Sequence, residues 1–386
     1  MRRGFGAGYF GAAPSSSGSR APRIPRRPVC DADALRQLAS AASGLELRFR
    51  PSSATVARRQ RVLQQLKEAL ADLPGVQEVV LGGSTAKGTD LDGDDSDIDV
   101  VVIFDGLERL VSEQRYEESL ADIREILRAE LSVELERRSF YTVGQRLRLP
   151  EAGSNIENRG TYLHGSHNGV SFDVLLGVDL EDDLSALREA QPGPPRARFS
   201  GSFVRLHTAF VAGAQVNKDG VRLAKWWVRH VLQLGAAVQR PRGFLIELVA
   251  VYASRSRRLN SAQETLIAIL EHFVSWQLLQ ITWSWAEADW QQFHPPARLP
   301  IILDPCNPTN NVARTLRRRS WRLWASLAQE LLQLVRSSGE QSDDDTRSVN
   351  SLGLDHFTDS CSSGEYRSGH SGQDSEGSVA FGDFDY

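Results

Sequence analysis

Residues 82–104, GGSTAKGTDLDGDDSDIDVVVIF, hold the feature that most constrains the fold, a Gly-Gly-Ser turn followed by a strand with two aspartates. In a strand, side chains two positions apart point to the same face, so Asp97 and Asp99 are presented together. Adjacent carboxylates repel each other unless a cation lies between them, and Mg²⁺ is the usual cation because it prefers carboxylate and phosphate oxygens. The turn offers backbone N–H groups and a hydroxyl to such phosphates. This segment therefore predicts a metal and phosphate site at the end of a strand.

A third acid, Asp173, stands in the apolar strand VSFDVLL. A buried carboxylate is costly unless it is paired or bound to a metal. A third acid also completes a site for two metal ions, which stabilise the attacking and leaving oxygens of a phosphoryl displacement. Three such acids behind a Gly-Gly-Ser turn are the arrangement of a nucleotidyltransferase.

Length and composition set the outer limits. A chain of 386 residues holds one large or two medium domains. No apolar run approaches the roughly 20 residues that span a bilayer, so no membrane association is expected. The three cysteines, Cys30, Cys306 and Cys361, are far apart. Their spacing argues against a disulfide framework or a cysteine zinc cluster and favours a reducing compartment, the cytoplasm.

Both ends of the chain differ in charge from the middle. Residues 1–30 contain six arginines and no acids, which predicts a disordered basic tail, with a targeting segment as the alternative. Residues 337–386 contain eleven acids and two arginines, which predicts a disordered acidic tail. The middle is nearly neutral, so its total charge does not indicate a strong nucleic-acid surface.

The apolar pattern of residues 31–195 predicts a mixed sheet preceded by a helix over 54–73. The predicted elements that follow are strands Val76–Leu81 and Asp97–Phe104, a helix Ser112–Glu130, weaker strands Leu131–Leu135 and Val143–Leu149, and a hairpin of Tyr162–Leu163 with Val170–Leu176. His164 and His167 are predicted as polar residues of the hairpin turn.

Residues 196–336 follow a helical pattern instead, after the Pro-Gly-Pro-Pro linker at 192–195. The predicted helices cover 202–212, 219–234, 243–255, 260–280 and 320–336. The fold class is therefore α+β, a mixed-sheet half followed by a helical half.

With these elements in place, four segments resemble the 2′-5′ oligoadenylate synthetase family. They are the segment 82–104, SFDVLLG at 171–177, VRLAKWW at 221–227 with ELVAVYA at 247–253, and ILDPCNPTNNVA at 302–313. The resemblance covers roughly residues 55–335 and implies a nucleotidyltransferase palm followed by an α-helical lobe. It also implies the activity, which is to join ATP into 2′-5′-linked oligoadenylates with release of pyrophosphate in antiviral innate immunity.

The resemblance further implies roles for single residues. Asp97, Asp99 and Asp173 would hold two magnesium ions, and Asp173 would take the proton of the acceptor 2′-hydroxyl. The residues implied in ATP binding are Gly83, Ser84, Arg222, Lys225 and Phe244. Arg222 and Lys225 are three apart on one helix and so share a face. Lys87 also matches the family motif.

The chain departs from the family in two respects. Gly243 and Phe244 stand where vertebrate members have glutamine and tyrosine, so a donor-pocket amide is missing, although Phe244 still offers a ring for stacking. Most basic residues that grip double-stranded RNA in those members are also replaced. The remaining candidates for RNA contact are Arg58, Arg59 and Arg61. Because RNA is bound through cationic contacts to phosphate, a strict dependence on double-stranded RNA is not expected.

Two alternatives stay open at this point. One is a cyclic-dinucleotide synthase of the cyclic GMP-AMP synthase type, which shares the palm, although the His-Cys-Cys-Cys zinc thumb of vertebrate forms is missing from this sequence. The other is a catalytically silent RNA-binding relative, which would be expected to lose acids and keep basic residues. This chain shows the reverse pattern.

Overall fold

A computed structural model of the chain describes residues 49–92, 96–105, 116–143, 155–180, 201–232, 238–283, 299–307 and 309–349, together with residues 38 and 199. The predicted basic tail and residues 350–386 lie outside these ranges. No helix among the described residues is long and apolar enough to cross a membrane.

The first half forms a five-stranded mixed sheet with helices packed on it. Its elements are α1 (Ser53–Ala71), β1 (Val76–Leu81), α2 (Gly83–Lys87), β2 (Ile98–Phe104), α3 (Tyr116–Val143), β3 (Asn155–Asn158), β4 (Tyr162–His167) and β5 (Val170–Val178). The strand order is β1-β2-β5-β4-β3. Only β2 and β5 run parallel, and the other neighbours are antiparallel. We call this half the sheet lobe. Its mixed sheet confirms the predicted first half.

Helix α3 corrects the prediction of a strand over Leu131–Leu135. The helix continues to Val143, and Leu127, Leu131 and Leu135 are all buried. These leucines are four residues apart, so they extend one face of the helix rather than alternate as strand residues do. Residues 144–149 of the other weak strand prediction lie outside the described residues, and Val143 itself ends the helix.

The hairpin of β4 and β5 is longer than predicted, and its turn is shorter. His167 pairs with Val170, so the turn is Asn168-Gly169, where both residues have positive φ of 51° and 69°. An Asn-Gly pair adopts this turn readily because both residues tolerate the left-handed region. His164 and His167 are therefore strand residues, and their prediction as turn residues is wrong.

The second half is mostly helical, and we call it the helical lobe. Its elements are α4 (Val204–Gly213), α5 (Lys218–Trp226) with a π-helical turn (Trp227–Val231), α6 (Gly243–Ser256), α7 (Ala262–Val274), the short strands β6 (Gln280–Ile281) and β7 (Ile301–Ile302), and α8 (Arg318–Val349). The predicted helix over 260–280 ends early, because Trp276 turns into the core and Ile281 joins β7. With this lobe the predicted α+β class is confirmed.

Helix α8 also extends past the predicted boundary at residue 336. Residues 337–349 are helical, whereas their composition predicts part of a disordered tail. Adding residues to an existing helix avoids the cost of starting a new one, so a helix anchored by buried Trp321, Trp324 and Leu331 propagates into a polar sequence.

The described residues form two large apolar clusters, one under the sheet and one among the helices. Leu38 and Phe49 belong to the helical cluster, and Phe49 packs on Trp226 with ring centroids 5.1 Å apart. Arg50 next to them forms an ion pair with Asp219 on α5. Leu38, Phe49 and Arg50 thus pack on the helical lobe, although the sequence analysis groups residues 31–195 with the sheet lobe.

Helix α3 gives a direct test of the corrected region. Leu131 is fully buried and Val133 is 63% exposed. In a helix these two side chains point apart, whereas in a strand they would share a face. We expect Leu131→Ala to lower the free energy of unfolding by about 2–5 kcal/mol, since it leaves a cavity. Val133→Ala should change it by less than about 0.5 kcal/mol. Equal losses in chemical denaturation would contradict the helix.

Candidate active site

The three predicted acids meet on one face of the sheet. Asp99 on β2 and Asp173 on β5 are direct partners in the parallel register, and Asp97 immediately precedes β2. All three side chains are partly exposed. The sequence found these residues, and the pairing of β2 with β5 explains why residues far apart in the chain come together.

Electrostatics within this acid row fit a divalent cation. Burial raises the pKa of Asp99 to about 6, and the nearby Asp173 and Asp97 carboxylates add to the rise. Burial also raises the pKa of Asp173, against a hydrogen bond from His164. Carboxylates that resist ionisation beside one another are stabilised by a cation between them. The donor set is all oxygen, which suits Mg²⁺.

The Gly-Gly turn is pressed against the acid row. Gly82 N–H donates to the Asp99 carbonyl at 2.8 Å, and Gly83 begins α2 with a positive φ of 62°. A Cβ on Gly83 would overlap the Asp99 carboxylate. Only glycine therefore allows the turn to lie this close to the acids, and Ser84 is placed within reach of anything bound to Asp99.

A first cavity, of about 650 Å³, opens beside this turn. Gly83, Ser84, Lys225 and Phe244 line it, so four of the five predicted ATP-binding residues are brought together. Lys87, which also matches the family motif, lies on its wall. The sequence analysis did not single out three further cations there: Arg229, Arg240 and Arg242. A cavity with this lining suits an anionic ligand such as a triphosphate.

Glu247 is the most important residue that sequence reasoning missed. Only 1% exposed, it accepts from Lys225 Nζ at 2.7 Å and from Lys87 Nζ at 3.0 Å. Burial would raise the pKa of Glu247, but the two lysines lower it to about 2. An acid inside the apolar helix LIELVAV carries the same signal that marked Asp173. Glu247 thus orients both lysines, and its charge opposes the lowering of the Lys225 pKa that burial causes.

Arg222 is not among the residues that line this first cavity, and its contact with a triphosphate stays a prediction. Its guanidinium donates to the carbonyls of Gly88 at 2.6 Å and Asp90 at 2.9 Å, and to Asp219 at 2.7 Å. Each of the three guanidinium nitrogens thus donates within the protein, and Arg222 holds the loop that follows α2.

Of the three arginines of α1 that are predicted to contact RNA, one is buried and two are exposed. Arg59 is 5% exposed and donates to Asp90 at 2.7 Å and to the Leu91 and Ser96 carbonyls at 3.1 Å. Its charge is therefore buried and paired within the fold, which argues against the predicted RNA contact at Arg59. Arg58 and Arg61 are exposed.

Phe244 contacts both Lys87 and His207. Lys87 Nζ lies 4.3 Å from the centre of the Phe244 ring, and the His207 ring is 4.8 Å away. Lys87 therefore covers one face of the ring that the sequence offers for base stacking. A stacked base would have to share or displace this cation–π contact.

A second cavity, of about 590 Å³, also borders Asp99. It shares Gly83, Lys87, Asp99, Arg242 and Phe244 with the first cavity, and its other walls include Leu175, Val204, His207 and Asn310. The two cavities thus meet at Asp99, the one member of the acid row that lines either of them.

His207 is held by a buried carboxylate beneath this second cavity. His207 Nε2 lies 2.6 Å from Asp304 Oδ1, and the same oxygen accepts from the Cys306 and Asn307 backbone N–H groups. Cys306 is close enough for the three side chains to approach a common ion. The Asp304 carboxylate is already saturated with hydrogen bonds, so the segment LDPCNPTNNVA has a structural role here.

Comparison with known proteins identifies the family. A model of the C-terminal domain 2 of 2′-5′-oligoadenylate synthetase 1 matches residues 184–351, and a nucleotidyltransferase domain model matches residues 63–150. The chain is 30% identical over 269 residues to 2′-5′-oligoadenylate synthase 1A of Mus musculus. The aligned region covers 62% of this chain and 70% of that relative. It belongs to the 2′-5′-oligoadenylate synthetase family.

Other oligoadenylate synthetase relatives differ in length and in activity. The chain is 30% identical over 283 residues to 2′-5′-oligoadenylate synthase 3 of Mus musculus. The aligned region covers 66% of this chain but only 23% of that relative. A further relative, 28% identical over 280 residues, is named inactive 2′-5′-oligoadenylate synthase 1B of Mus musculus and is covered to 71%. Membership of the oligoadenylate synthetase family therefore leaves the activity to be argued from the site.

Solved structures support the fold of this oligoadenylate synthetase family member. The CdnC:HORMA-deltaN complex of E. coli MS115-1 matches with a TM-score of 0.51 at 19% identity, over 79% of this chain and 90% of that chain. At this identity the match shows a shared nucleotidyltransferase architecture only.

The contact between Gly83 and Asp99 predicts a strong effect of one methyl group. Gly83→Ala should lower the rate of ATP turnover by about 100-fold, because the new Cβ displaces the Asp99 carboxylate. Gly88 is a matched control, since it also has a positive φ, of 67°, but open space around its Cβ position. Gly88→Ala should cost about 1–2 kcal/mol of stability and leave turnover within a few-fold. Similar rates in the two variants would contradict the contact.

The raised pKa of Asp99 predicts how Mg²⁺ stabilises the protein at different pH. Because the folded pKa lies above the unfolded value, this group stabilises the metal-free fold at low pH, and that contribution is lost as pH rises through about 6. The carboxylate form that binds a cation dominates above that point. Millimolar Mg²⁺ should therefore raise Tm more at about pH 7.5 than at about pH 5.5.

The control for this prediction is Asp99→Asn, which removes the titrating group. In that variant the Mg²⁺-induced shift of Tm should be small and nearly independent of pH. An equal shift at both pH values in the unmodified protein would count against a cation at the acid row.

Proposed function

We propose that this protein is a template-independent nucleotidyltransferase that joins ATP into 2′-5′-linked oligoadenylates and releases pyrophosphate, in innate immune signalling. The observation that carries the proposal is the acid row of Asp97, Asp99 and Asp173, whose central member Asp99 lines both cavities. Membership of the oligoadenylate synthetase family supports the same activity.

The donor ATP is assigned to the first cavity. Ser84 and the Gly83 turn face its phosphates next to Asp99, and Lys225 and Lys87 supply positive charge. The positive charge continues along the wall with Arg229, Arg240 and Arg242. These arginines would neutralise the negative charge that develops on the departing pyrophosphate. The acceptor is assigned to the second cavity, which also borders Asp99.

In the proposed step, the acceptor 2′-oxygen forms a bond to the donor α-phosphorus. The bond from that phosphorus to the bridging oxygen of the β-phosphate breaks, and pyrophosphate leaves with the electron pair. Asp173 takes the proton of the 2′-hydroxyl, since a carboxylate close to the acceptor acts as the general base. The pKa of Asp173, raised by burial, makes it a better proton acceptor than a solvated aspartate.

Asp97, Asp99 and Asp173 are the residues that would hold magnesium, and we propose two ions. Bound there, magnesium supplies Lewis acidity and neutralises phosphate charge. The raised pKa of Asp99 and the all-oxygen donor set support a divalent cation at this place.

Double-stranded RNA is proposed as a modulator rather than an obligatory activator. Arg59 is buried in an ion pair, which leaves Arg58 and Arg61 as the exposed part of the α1 set. Two phosphate contacts give only a small salt-dependent binding energy compared with an extended basic face. Activity without RNA is therefore expected.

The deciding experiment is synthesis from ATP and Mg²⁺, with and without double-stranded RNA. We expect oligoadenylates that resist a nuclease specific for 3′-5′ linkages, in both conditions. The double variant Asp97→Ala, Asp99→Ala should lose at least about 1,000-fold in rate, since both lost groups act in the same step. Products that the nuclease degrades would refute the linkage, and unchanged turnover in the double variant would refute the site.

The same assay separates the alternative functions. Cyclic product formed only from ATP and GTP together would identify a cyclic-dinucleotide synthase. Lack of any product with retained RNA binding would identify a silent relative, and one relative of this chain is named inactive. The missing donor-pocket amide at Gly243 makes the comparison of ATP with GTP the most informative arm.

A further inference from the structure

His164 extends the acid row by one strand. It lies on β4 directly opposite Asp173 on β5, and Asp173 lies directly opposite Asp99 on β2. Residues paired in register across neighbouring strands point to the same face of a sheet. Asp99, Asp173 and His164 therefore stand in one line, with the imidazole at the end away from the Gly-Gly turn.

The contact between His164 and Asp173 is a hydrogen bond of defined polarity. His164 Nδ1 lies 2.7 Å from Asp173 Oδ1. An ionised carboxylate only accepts, so Nδ1 carries the hydrogen and donates it. This bond to the charged form lowers the pKa of Asp173, against the rise that burial causes. The hydrogen bond fixes Oδ1 and so restricts rotation of the whole Asp173 carboxylate, which also sets the direction of Oδ2.

We propose that His164 is a positioning residue, which fixes the Asp173 carboxylate in the orientation that binds the cation and faces the acceptor hydroxyl. The inference rests on the proposed function, because it gives Asp173 those two tasks. Carboxylates that ligate metals are commonly held by outer partners whose loss costs about 10–100-fold in metal affinity or activity.

The location of His164 separates this role from binding of the donor. His164 is not among the residues that line the first cavity, where the donor is assigned. Its side chain is about one third exposed and Asp173 is less exposed, so the imidazole approaches the carboxylate from the solvent side of the sheet. Loss of the hydrogen bond from His164 to Asp173 should thus weaken metal binding and slow the chemical step, while the KM for ATP is little changed.

The test compares His164→Leu with His164→Asn, because the asparagine amide nitrogen takes nearly the place of Nδ1 and can still donate. Ser166→Ala is the matched control, since Ser166 is exposed on the same strand and face. Three quantities are measured for each protein: the Kd for Mn²⁺ without nucleotide, the kcat and KM for ATP with Mg²⁺, and Tm.

His164→Leu should weaken Mn²⁺ binding and lower kcat by about 10–100-fold each, with the KM for ATP within about threefold. His164→Asn should recover most of both losses, and Ser166→Ala should match the unmodified protein. Unchanged Mn²⁺ affinity and kcat in His164→Leu would overturn the inference. So would a loss that His164→Asn does not recover and that follows Tm, since that result describes a structural residue. If the unmodified protein itself neither binds Mn²⁺ nor makes product, the proposed function fails and the inference fails with it.

Discussion

The parallel pairing of β2 with β5 is the contact on which the site depends. It brings Asp99 and Asp173 side by side, although 73 positions separate them in the sequence. Two carboxylates on adjacent strands repel each other, and the rest of the sheet must hold them against that repulsion. The apolar face of the same two strands, with Val100, Val102 and Val174 fully buried, supplies the holding energy.

Cations in this protein fall into two groups that sequence position does not separate. The charges of Arg59 and Arg222 are paired inside the protein with the buried carboxylates of Asp90 and Asp219. Lys87 and Lys225 are also paired, yet they face a cavity and share a single acid, Glu247. Lys225 has as many acceptors as Arg222, because it also donates to the carbonyl and the hydroxyl of Thr89. The difference is that the two lysines line the first cavity, which is a property of the packed structure.

Local patterns were sufficient for the parts of the site that lie within one element. The Gly-Gly-Ser turn, the Asp97 and Asp99 pair and the acid of β5 were all found because each breaks an apolar or regular pattern. Glu247 breaks such a pattern too, and the same reasoning applied to α6 identifies it. His164 is different, because its partner depends on the register of the β4–β5 hairpin and not on a pattern within one strand. In a hairpin, the turn fixes the register and with it the cross-strand partners.

The cluster around Glu247 joins the two halves of the protein. Lys87 comes from α2 in the sheet lobe, whereas Lys225 and Glu247 come from α5 and α6 in the helical lobe. The helical lobe alone would keep the paired charges of Lys225 and Glu247, whereas Lys87 of the sheet lobe would lose its buried acceptor. The wall that faces the phosphates is therefore a shared property of both lobes, and its charge changes when they separate. By thermodynamic reciprocity, a ligand that prefers the joined arrangement must also hold the lobes together.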